Sequence, residues 1–213
     1  MTGAQIILEC LKQEGVSVVF GYPGATIAPF YDAIALDGAI RHVLVRQEQN
    51  AGHAASGYSR ASGKVGVCCT TSGPGATNLI TALATAYMDS IPMVALTGQV
   101  RSDLLGRDVF QEADITGACE PFTKHSYLAK DTQELPTIIK EAFHIASTGR
   151  PGPVLIDLPQ DTLEREFQGE FQYPDSVDII GYKPRTKGHP LQMKRSGLSA
   201  SGESLRPGRT ICL

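Results

Sequence analysis

Apolar and polar residues follow two different periods along the chain, and their alternation predicts a repeating order of helices and strands. Helical spacing puts Ile6, Cys10 and Leu11 on one stripe, and Thr2 stands where it can cap this first helix, which ends near Glu14. Short apolar runs at the spacing of strands follow. The predicted strands are 16–20, 41–45, 65–70, 92–97, a short one ending at Leu128, and 154–158; the further predicted helices are 26–36, 49–62, 76–89 and 132–147, the last capped by Thr132.

These segments alternate at the spacing of βαβ units. The strands are apolar almost throughout, as expected when helices cover both faces of a parallel sheet. The pattern therefore predicts an α/β fold with a doubly wound, mainly parallel sheet and helices on both faces. Ligands of such sheets bind in the crevice at the carboxyl ends of the strands, so candidate chemistry is sought there.

One acidic residue stands at such a strand end. Glu48 lies in Arg46-Gln47-Glu48-Gln49, where the apolar run at 43–45 gives way to a helix. A carboxylate in this position faces the ligand crevice and is a candidate catalytic acid. The alternative is an ordinary first-turn glutamate, which the helix dipole favours in any protein.

The segment from Thr70 to Asn78 joins the strand at 65–70 to the next helix. Its Gly73-Pro74-Gly75 forces a tight turn, and small residues let a planar or anionic ligand approach the backbone at the helix N-terminus. The segment has no P-loop lysine, no third dinucleotide-fingerprint glycine and no nucleophile elbow. A purely structural Gly-Pro-Gly turn remains the alternative.

Later polar positions give weaker signals. The polar stretch 101–114, which contains Phe110 and Gln111, is too long for a mere connection and is either mobile or functional. Asp157 and Asp161 invite a metal interpretation, but a strand end and a helix cap are favoured. The five histidines form no metal-binding pair, so we expect no metal site built by this chain alone.

Composition and charge narrow the functional classes. The net charge of −3 divides into +6 over residues 183–213 and −9 over the rest, which argues against a nucleic-acid-binding domain. The five scattered cysteines favour a reducing compartment. The N-terminus has no signal-peptide pattern, and no apolar run approaches the roughly 18 residues of a membrane span. We therefore expect a soluble cytoplasmic protein with no nucleic-acid or membrane partner.

Seven motifs together resemble a known family. They are Gly21 to Gly24, Arg46 to Gln49, Thr71 to Asn78, Ala86 to Pro92, Thr97 to Val100, Phe110 to Asp114 and Gly149 to Pro153. In this order they are similar to the N-terminal domain of the acetolactate synthase catalytic subunit, in the thiamine-diphosphate-dependent, pyruvate-oxidase-like family. The resemblance runs in register from about residue 2 to about residue 193.

The resemblance implies a cofactor and a role for Glu48. In that family this domain binds the aminopyrimidine ring of thiamine diphosphate, and the matching glutamate hydrogen-bonds ring nitrogen N1′. That contact favours the imino tautomer, which removes the C2 proton to give the ylide. The ylide attacks pyruvate, carbon dioxide leaves, and the two-carbon unit passes to a second 2-oxo acid, pyruvate or 2-oxobutyrate.

Further site residues are implied by the same resemblance. Gln111, beside Phe110, is placed near the reacting carbon, and Lys124 near the mouth of the substrate channel. Arg150 matches an arginine that contacts the structural FAD, whereas without the family it would be read as a surface arginine. The residues implied to surround the pyrimidine ring are Pro23, Gly24, Thr71, Gly75 and Asn78.

The chain departs from the family at two positions and lacks one motif. Gln47 replaces the usual histidine beside the glutamate and so removes a titratable neighbour of the cofactor. Ala25 replaces a glycine in the turn. The tuning of the cofactor and the rate of the reaction are therefore expected to differ from those of the family. The Gly-Asp-Gly motif that holds Mg2+ and the diphosphate in the family's C-terminal domain does not occur here. The resemblance also implies a homodimer, and it leaves open a regulatory subunit.

The expected organisation is therefore a cofactor domain and an extension. We expect a pyrimidine-binding domain at 1–165, a linker towards a missing middle domain at 166–195, and a disordered tail outside the family at 196–213. The leading hypothesis is a fragment of a carboligase, inactive alone. The alternatives are a non-catalytic remnant or interaction module, an oxidase or decarboxylase relative, and a generic nucleotide-binding domain.

Overall fold

The structure of the chain is a computed structural model, and it describes residues 1–184. The chain divides into two compact units, Met1–Asp178 and Ile179–Leu213. The second unit is described only as far as residue 184, so the expectations for the tail lie outside the described residues. The domain boundary at 165 stays a prediction.

Six strands and eight α-helices make up the first unit, with short 3-10 helices between them. The strands are β1 (Val18–Tyr22), β2 (Arg41–Leu44), β3 (Gly66–Thr70), β4 (Met93–Gln99), β5 (His125–Leu128) and β6 (Pro153–Pro159). The helices are α1 (Gly3–Gln13), α2 (Ala28–Asp37), α3 (Glu48–Ser62), α4 (Pro74–Thr77), α5 (Ile80–Met88), α6 (Ile115–Cys119), α7 (Leu135–Ser147) and α8 (Gln160–Glu164).

All six strands are parallel and lie in the order β2-β1-β3-β4-β6-β5. Every residue of β3, β4 and β6 is buried, because helices cover both faces of the central strands. The predicted doubly wound α/β fold is confirmed. The order reverses between β1 and β3, and this topological switch point is where such sheets bind ligands.

Two helical layers hold the sheet between them. On one face α3, α5 and α6 pack over side chains that include Cys68, Ala95 and Leu155. On the other face α1 packs against α2, α7 and α8. Adjacent Cys68 and Cys69 are both fully buried, as expected of successive strand residues that point to opposite covered faces.

The residues before α1 pair with the residues that follow α8. Thr2 forms an antiparallel bridge with Glu166, and the Phe167 amide donates to the Met1 carbonyl at 2.8 Å. The Thr2 hydroxyl and the Gln5 side chain form a capping box, so the predicted cap of α1 is confirmed. No helix within residues 1–184 is long and apolar enough to cross a membrane.

Several predicted boundaries were wrong. β1 was predicted at 16–20 but continues through Gly21, which lies in register with Cys69 and has no side chain to collide with the Cys69 carbonyl. The helix predicted to start at residue 26 begins as a 3-10 turn, and α2 starts beside Pro29, a residue that suits a first helical turn. Asp131, rather than Thr132, caps the turn that leads into α7.

The helix predicted at 76–89 is interrupted. It consists of α4, which ends at Thr77, and α5, which begins at Ile80. The segment contains no glycine or proline at the interruption, so the sequence pattern gave no signal for it. The interruption leaves Asn78 at the end of α4, where its side chain reaches the carboxyl edge of β2.

Candidate active site

The switch point brings three strand ends together. The chain leaves β1 through Pro23 and Gly24, and it leaves β3 through the turn that starts at Thr71. Glu48 is the first residue of α3, which follows the neighbouring strand β2. The loops after β1 and β3 diverge to opposite faces of the sheet, and the edge between such loops is where the ligand crevice of an open α/β sheet is expected.

The Glu48 carboxylate has one oxygen held and one open. Its Oε2 accepts a hydrogen bond of 2.9 Å from Nδ2 of Asn78. Its Oε1 faces Gly75 and accepts no hydrogen bond from any residue between 1 and 184; a methyl group added at Gly75 would lie 3.5 Å from it. The side chain of Gln47 accepts from the Asn50 amide at 3.3 Å and so caps α3. Glu48 therefore points a fixed, partly exposed acceptor into the crevice.

Two glycines allow the walls of the crevice to approach each other. A methyl group added at Gly24 would lie 2.4 Å from Cβ of Thr71, and one added at Gly75 would lie 2.7 Å from Cγ2 of the same threonine. Real Cβ atoms do not approach so closely, so the backbone after β1 and the start of α4 both contact Thr71 only because they carry glycine.

A hydroxyl network fixes the turn after β3. The Thr71 and Thr26 hydroxyls are 3.0 Å apart, and Thr26 Oγ1 also accepts from the Ser72 amide at 3.1 Å. The hydroxyls of Thr70 and Ser72 are fully buried and have no hydrogen-bond partner among the residues described. Sequence reasoning missed Thr26 and Ser72, because a threonine in a helical pattern carries no sign of a long-range contact.

The polar loop between β4 and α6 contacts this turn. A methyl group added at Gly73 would lie 2.8 Å from the Gln111 carbonyl oxygen and 2.9 Å from its Cα. Phe110 is 88% exposed beside it. The structure thus brings Gln111 to the same turn as Thr71 and Gly75.

Lys124 and Arg150 lie elsewhere. Both precede strands, β5 and β6 respectively, and so stand at the amino edge of the sheet, opposite Glu48. The Lys124 ammonium donates to the carbonyls of Ile145 and Thr148 at the end of α7. Arg150 donates to the Tyr87 and Met88 carbonyls at the end of α5 and to the Ser90 hydroxyl. Their predicted contacts with a channel and with FAD stay predictions.

Asp157 is buried inside β6 and not at its end. Its two oxygens accept from the Thr97 hydroxyl at 2.7 Å and from the Gln99 amide at 2.9 Å. Burial raises the pKa of this carboxyl to about 7, against the lowering effect of the two hydrogen bonds. Asp161 accepts from the Ser102 amide at 2.8 Å and holds the start of the polar loop.

Fold and crevice define a class of cofactor-binding domain, and comparison with known families agrees. Residues 1–118 match the family described as thiamine pyrophosphate enzyme, N-terminal TPP binding domain. The chain therefore belongs to this family of thiamine pyrophosphate enzymes. The matched residues include Glu48, Asn78 and the two loops at the switch point.

Individual relatives carry a more specific name. The chain is 53% identical over 208 residues to the probable acetolactate synthase large subunit of Methanocaldococcus jannaschii, covering 97% of this chain and 35% of the relative. It is 50% identical over 196 residues to the acetolactate synthase large subunit of Haemophilus influenzae, covering 92% and 34%. It is 49% identical over 207 residues to that of Corynebacterium glutamicum, covering 97% and 33%. The resemblance seen in the sequence is thus confirmed, and the chain spans about a third of the length of these relatives.

Proposed function

We propose that this chain forms the pyrimidine-binding side of the thiamine diphosphate site of an acetolactate synthase-type carboligase. The reaction decarboxylates pyruvate and transfers the two-carbon unit to a second 2-oxo acid, pyruvate or 2-oxobutyrate, in branched-chain amino acid biosynthesis. The observation that carries the proposal is the Glu48 carboxylate, oriented by Asn78 and open at Oε1 in the switch-point crevice. The names of the relatives support the choice of reaction.

The residues present fit an aminopyrimidine ring. A ring nitrogen that carries a proton needs an acceptor, and Oε1 of Glu48 is an acceptor without another donor in the described part of the chain. Gly24 and Gly75 both pack against Thr71, and this holds the loop after β1 close to the start of α4 at the edge where a flat ring would bind. When bound, the cofactor supplies the nucleophilic carbon and the electron sink for 2-oxo acid decarboxylation.

Each of these residues then has a distinct task. Glu48 holds the proton at the ring nitrogen through Oε1, and Asn78 prevents the carboxylate from rotating by its hydrogen bond to Oε2. Thr71, fixed by Thr26, keeps the two loops at a constant separation. A ring held in one orientation loses less entropy in the reaction, because its reacting geometry already exists in the bound state.

Further assignments follow from the family and complete the proposal. Pro23 lines the pyrimidine ring beside Gly24. Gln111 acts near the reacting carbon, with Phe110 on the substrate side. Lys124 lies near the mouth of the substrate channel, and Arg150 contacts FAD. Mg2+ and most of FAD are held by parts of the enzyme outside this chain. The enzyme acts in the cytoplasm as a homodimer, with a regulatory subunit as a further partner. Within residues 1–184, Cys10, Cys68, Cys69 and Cys119 are buried and free, which suits a reducing compartment.

Calorimetric titration with thiamine diphosphate and Mg2+ tests this function. We expect saturable binding by the wild-type chain and a loss of roughly tenfold or more in affinity for Glu48→Gln, because a hydrogen bond to a charged group contributes about 1.5–3 kcal/mol. Glu170→Gln, which removes an exposed carboxylate far along the chain, is the matched control and should bind like wild type.

The outcome against the proposal is equally specific. The assignment of this crevice as the thiamine diphosphate site is wrong if the folded wild-type chain binds no thiamine diphosphate. It is also wrong if the Glu48→Gln variant binds as tightly as wild type. Far-ultraviolet circular dichroism of each variant establishes that the comparison is made between folded proteins.

A further inference from the structure

The loop that carries Gln111 is held at its start by a contact with α8 and at its end by a contact with the sheet. At its start, the Ser102 amide donates to Asp161. At its end, the Gln99 side chain donates to the Ala113 carbonyl at 2.8 Å, and the same amide group donates to Asp157. These contacts fix where the loop leaves β4 and where it approaches α6, but they do not reach its middle.

The middle of the loop has an unfavourable backbone conformation. Asp108 has a φ of 54° and Gln111 a φ of 59°, both in the left-handed region, and Gly106 has a φ of 76°. Aspartate tolerates this region better than most residues, but a glutamine occupies it only when surrounding contacts impose it. Gln111 nevertheless packs its main chain directly on Gly73 in the turn after β3. Contacts made to the backbone of residues 106–111 must therefore maintain this conformation.

The Glu112 carboxylate supplies that interaction. Its Oε1 accepts from the Gly106 amide and its Oε2 accepts from the Val109 amide at 3.1 Å. These backbone donors, together with those of Arg107 and Asp108, lower the pKa of the Glu112 carboxyl. The loop thus folds its amide groups around one anion, in the manner of a backbone anion nest.

We infer that Glu112 is a positioning residue for Gln111. Its carboxylate is the group around which residues 106–111 fold, and this loop conformation packs Gln111 against Gly73 in the cofactor crevice. The inference rests on the proposed function, since it assigns a role within that site. Glu112 does not itself touch the crevice in the contacts described. It acts only through the backbone that it organises.

The test compares Glu112→Gln with a control in the same loop. The amide side chain keeps the length of glutamate but has one acceptor oxygen in place of two and adds donors. Asp103→Asn removes another carboxylate of the loop, one that within residues 1–184 pairs only with exposed Arg101. Two quantities are measured on the full chain: hydrogen exchange of the amides at 106–111, and the dissociation constant for thiamine diphosphate with Mg2+.

We expect Glu112→Gln to accelerate exchange in this segment and to weaken thiamine diphosphate binding about fivefold, while Asp103→Asn changes neither. A double-mutant cycle with Gln111→Ala identifies the route of the effect. If Glu112 acts by positioning the side-chain amide of Gln111, then Glu112→Gln has no further effect on binding when residue 111 is already alanine. A merely stabilising role would give equal losses in both backgrounds.

Failure of this inference differs from failure of the proposed function. Binding by the wild-type chain that is unchanged in Glu112→Gln, or equally weakened with and without Gln111, overturns the positioning role alone. Absence of thiamine diphosphate binding by the wild-type chain overturns the proposed function, and the positioning role falls with it. Unchanged amide exchange at 106–109 in Glu112→Gln also overturns the positioning role of Glu112, because the fold of the loop then does not depend on the carboxylate.

Discussion

Two carboxylates near the carboxyl edge of the sheet show how the surroundings of one residue decide its chemistry. Glu48 is partly exposed, and one of its oxygens stays open towards the crevice. Asp157 is 1% exposed, and both its oxygens are occupied by Thr97 and Gln99. A buried carboxylate loses hydration that two hydrogen bonds replace only in part, so its neutral form is favoured. Asp157 is therefore a structural acid, and Glu48 is available for ligands.

This difference predicts an unusual pH dependence of stability. The pKa of Asp157 in the folded chain is raised to about 7, above its ordinary value of 3.8. Between these values the folded state keeps a proton that the unfolded state has lost, so the free energy of unfolding falls as the pH rises. The stability is fully present below about pH 4 and is lost as the pH passes 7, with a slope of roughly 1 kcal/mol per pH unit.

Asp157→Asn should remove this contribution, because asparagine does not titrate and resembles the protonated acid. We expect urea unfolding between pH 5 and pH 8 to show a loss of stability about 2 kcal/mol larger in wild type than in Asp157→Asn. Other titrating groups are common to both proteins and cancel in the comparison. Parallel pH profiles would show that Asp157 is ionised in the folded chain throughout this range.

At the scale of elements, the site depends on how closely α4 can approach the end of β3. Gly75 lies in the first turn of α4, where alanine would ordinarily be the better helix former. A methyl group there would meet Cγ2 of Thr71 at 2.7 Å. Threonine is stiff about its first side-chain torsion, so this methyl group cannot easily turn away.

We therefore expect Gly75→Ala to destabilise the chain by about 1–3 kcal/mol, the usual cost of overpacking. The double variant Gly75→Ala/Thr71→Ser should recover most of this loss, since serine lacks Cγ2 but keeps the hydroxyl that faces Thr26. Chemical denaturation of the four proteins of the cycle measures both effects. An equal cost of Gly75→Ala with threonine or serine at 71 would mean that the strain lies elsewhere.

The junctions between elements also mark how far the sequence could predict the site. The change of period at residues 45–49 located the end of β2 and the start of α3, and hence Glu48. The resemblance grouped Gly24, Thr71, Gly75 and Asn78, and the structure brings these residues together around Glu48. Their roles towards the cofactor remain the proposal above.

Other features depended on contacts that no local pattern encodes. The approach of Gln111 to Gly73 joins two distant loops and needs both a missing side chain and a left-handed residue. The interruption between α4 and α5 occurs without glycine or proline. Asp157 was read as a strand end, because the sequence does not show that β6 continues to Pro159 or that Gln99 belongs to β4.

At the scale of the whole molecule, the described chain forms the proposed pyrimidine-binding side of the crevice. The open oxygen of Glu48 and the 88% exposed ring of Phe110 stand at its edge. The chain spans 31–35% of the length of its relatives. We expect the remainder of a complete enzyme to supply the Mg2+ and diphosphate contacts, so that the 213-residue polypeptide by itself is not a catalyst.

Incubation of the purified chain with pyruvate, thiamine diphosphate, Mg2+ and FAD should accordingly yield no acetolactate above the level of a protein-free sample. The physical reason is that binding of the pyrimidine ring alone fixes only part of the geometry that the reaction requires. A full-length relative assayed in parallel shows that the conditions support turnover. Acetolactate formation that disappears in Glu48→Gln would establish instead that this polypeptide is sufficient.

The pairing of Thr2 with Glu166 has a consequence for how the domain can be connected. Because residue 1 and residue 167 are hydrogen-bonded neighbours, the segment that runs from α1 to α8 begins and ends at one place on the surface of the unit. A unit with adjacent ends can be inserted into a longer polypeptide, or closed into a loop and reopened at another exposed turn, without a strand changing its neighbours. The exposed turn at Gly63, between α3 and β3, is a suitable point for such a circular permutation.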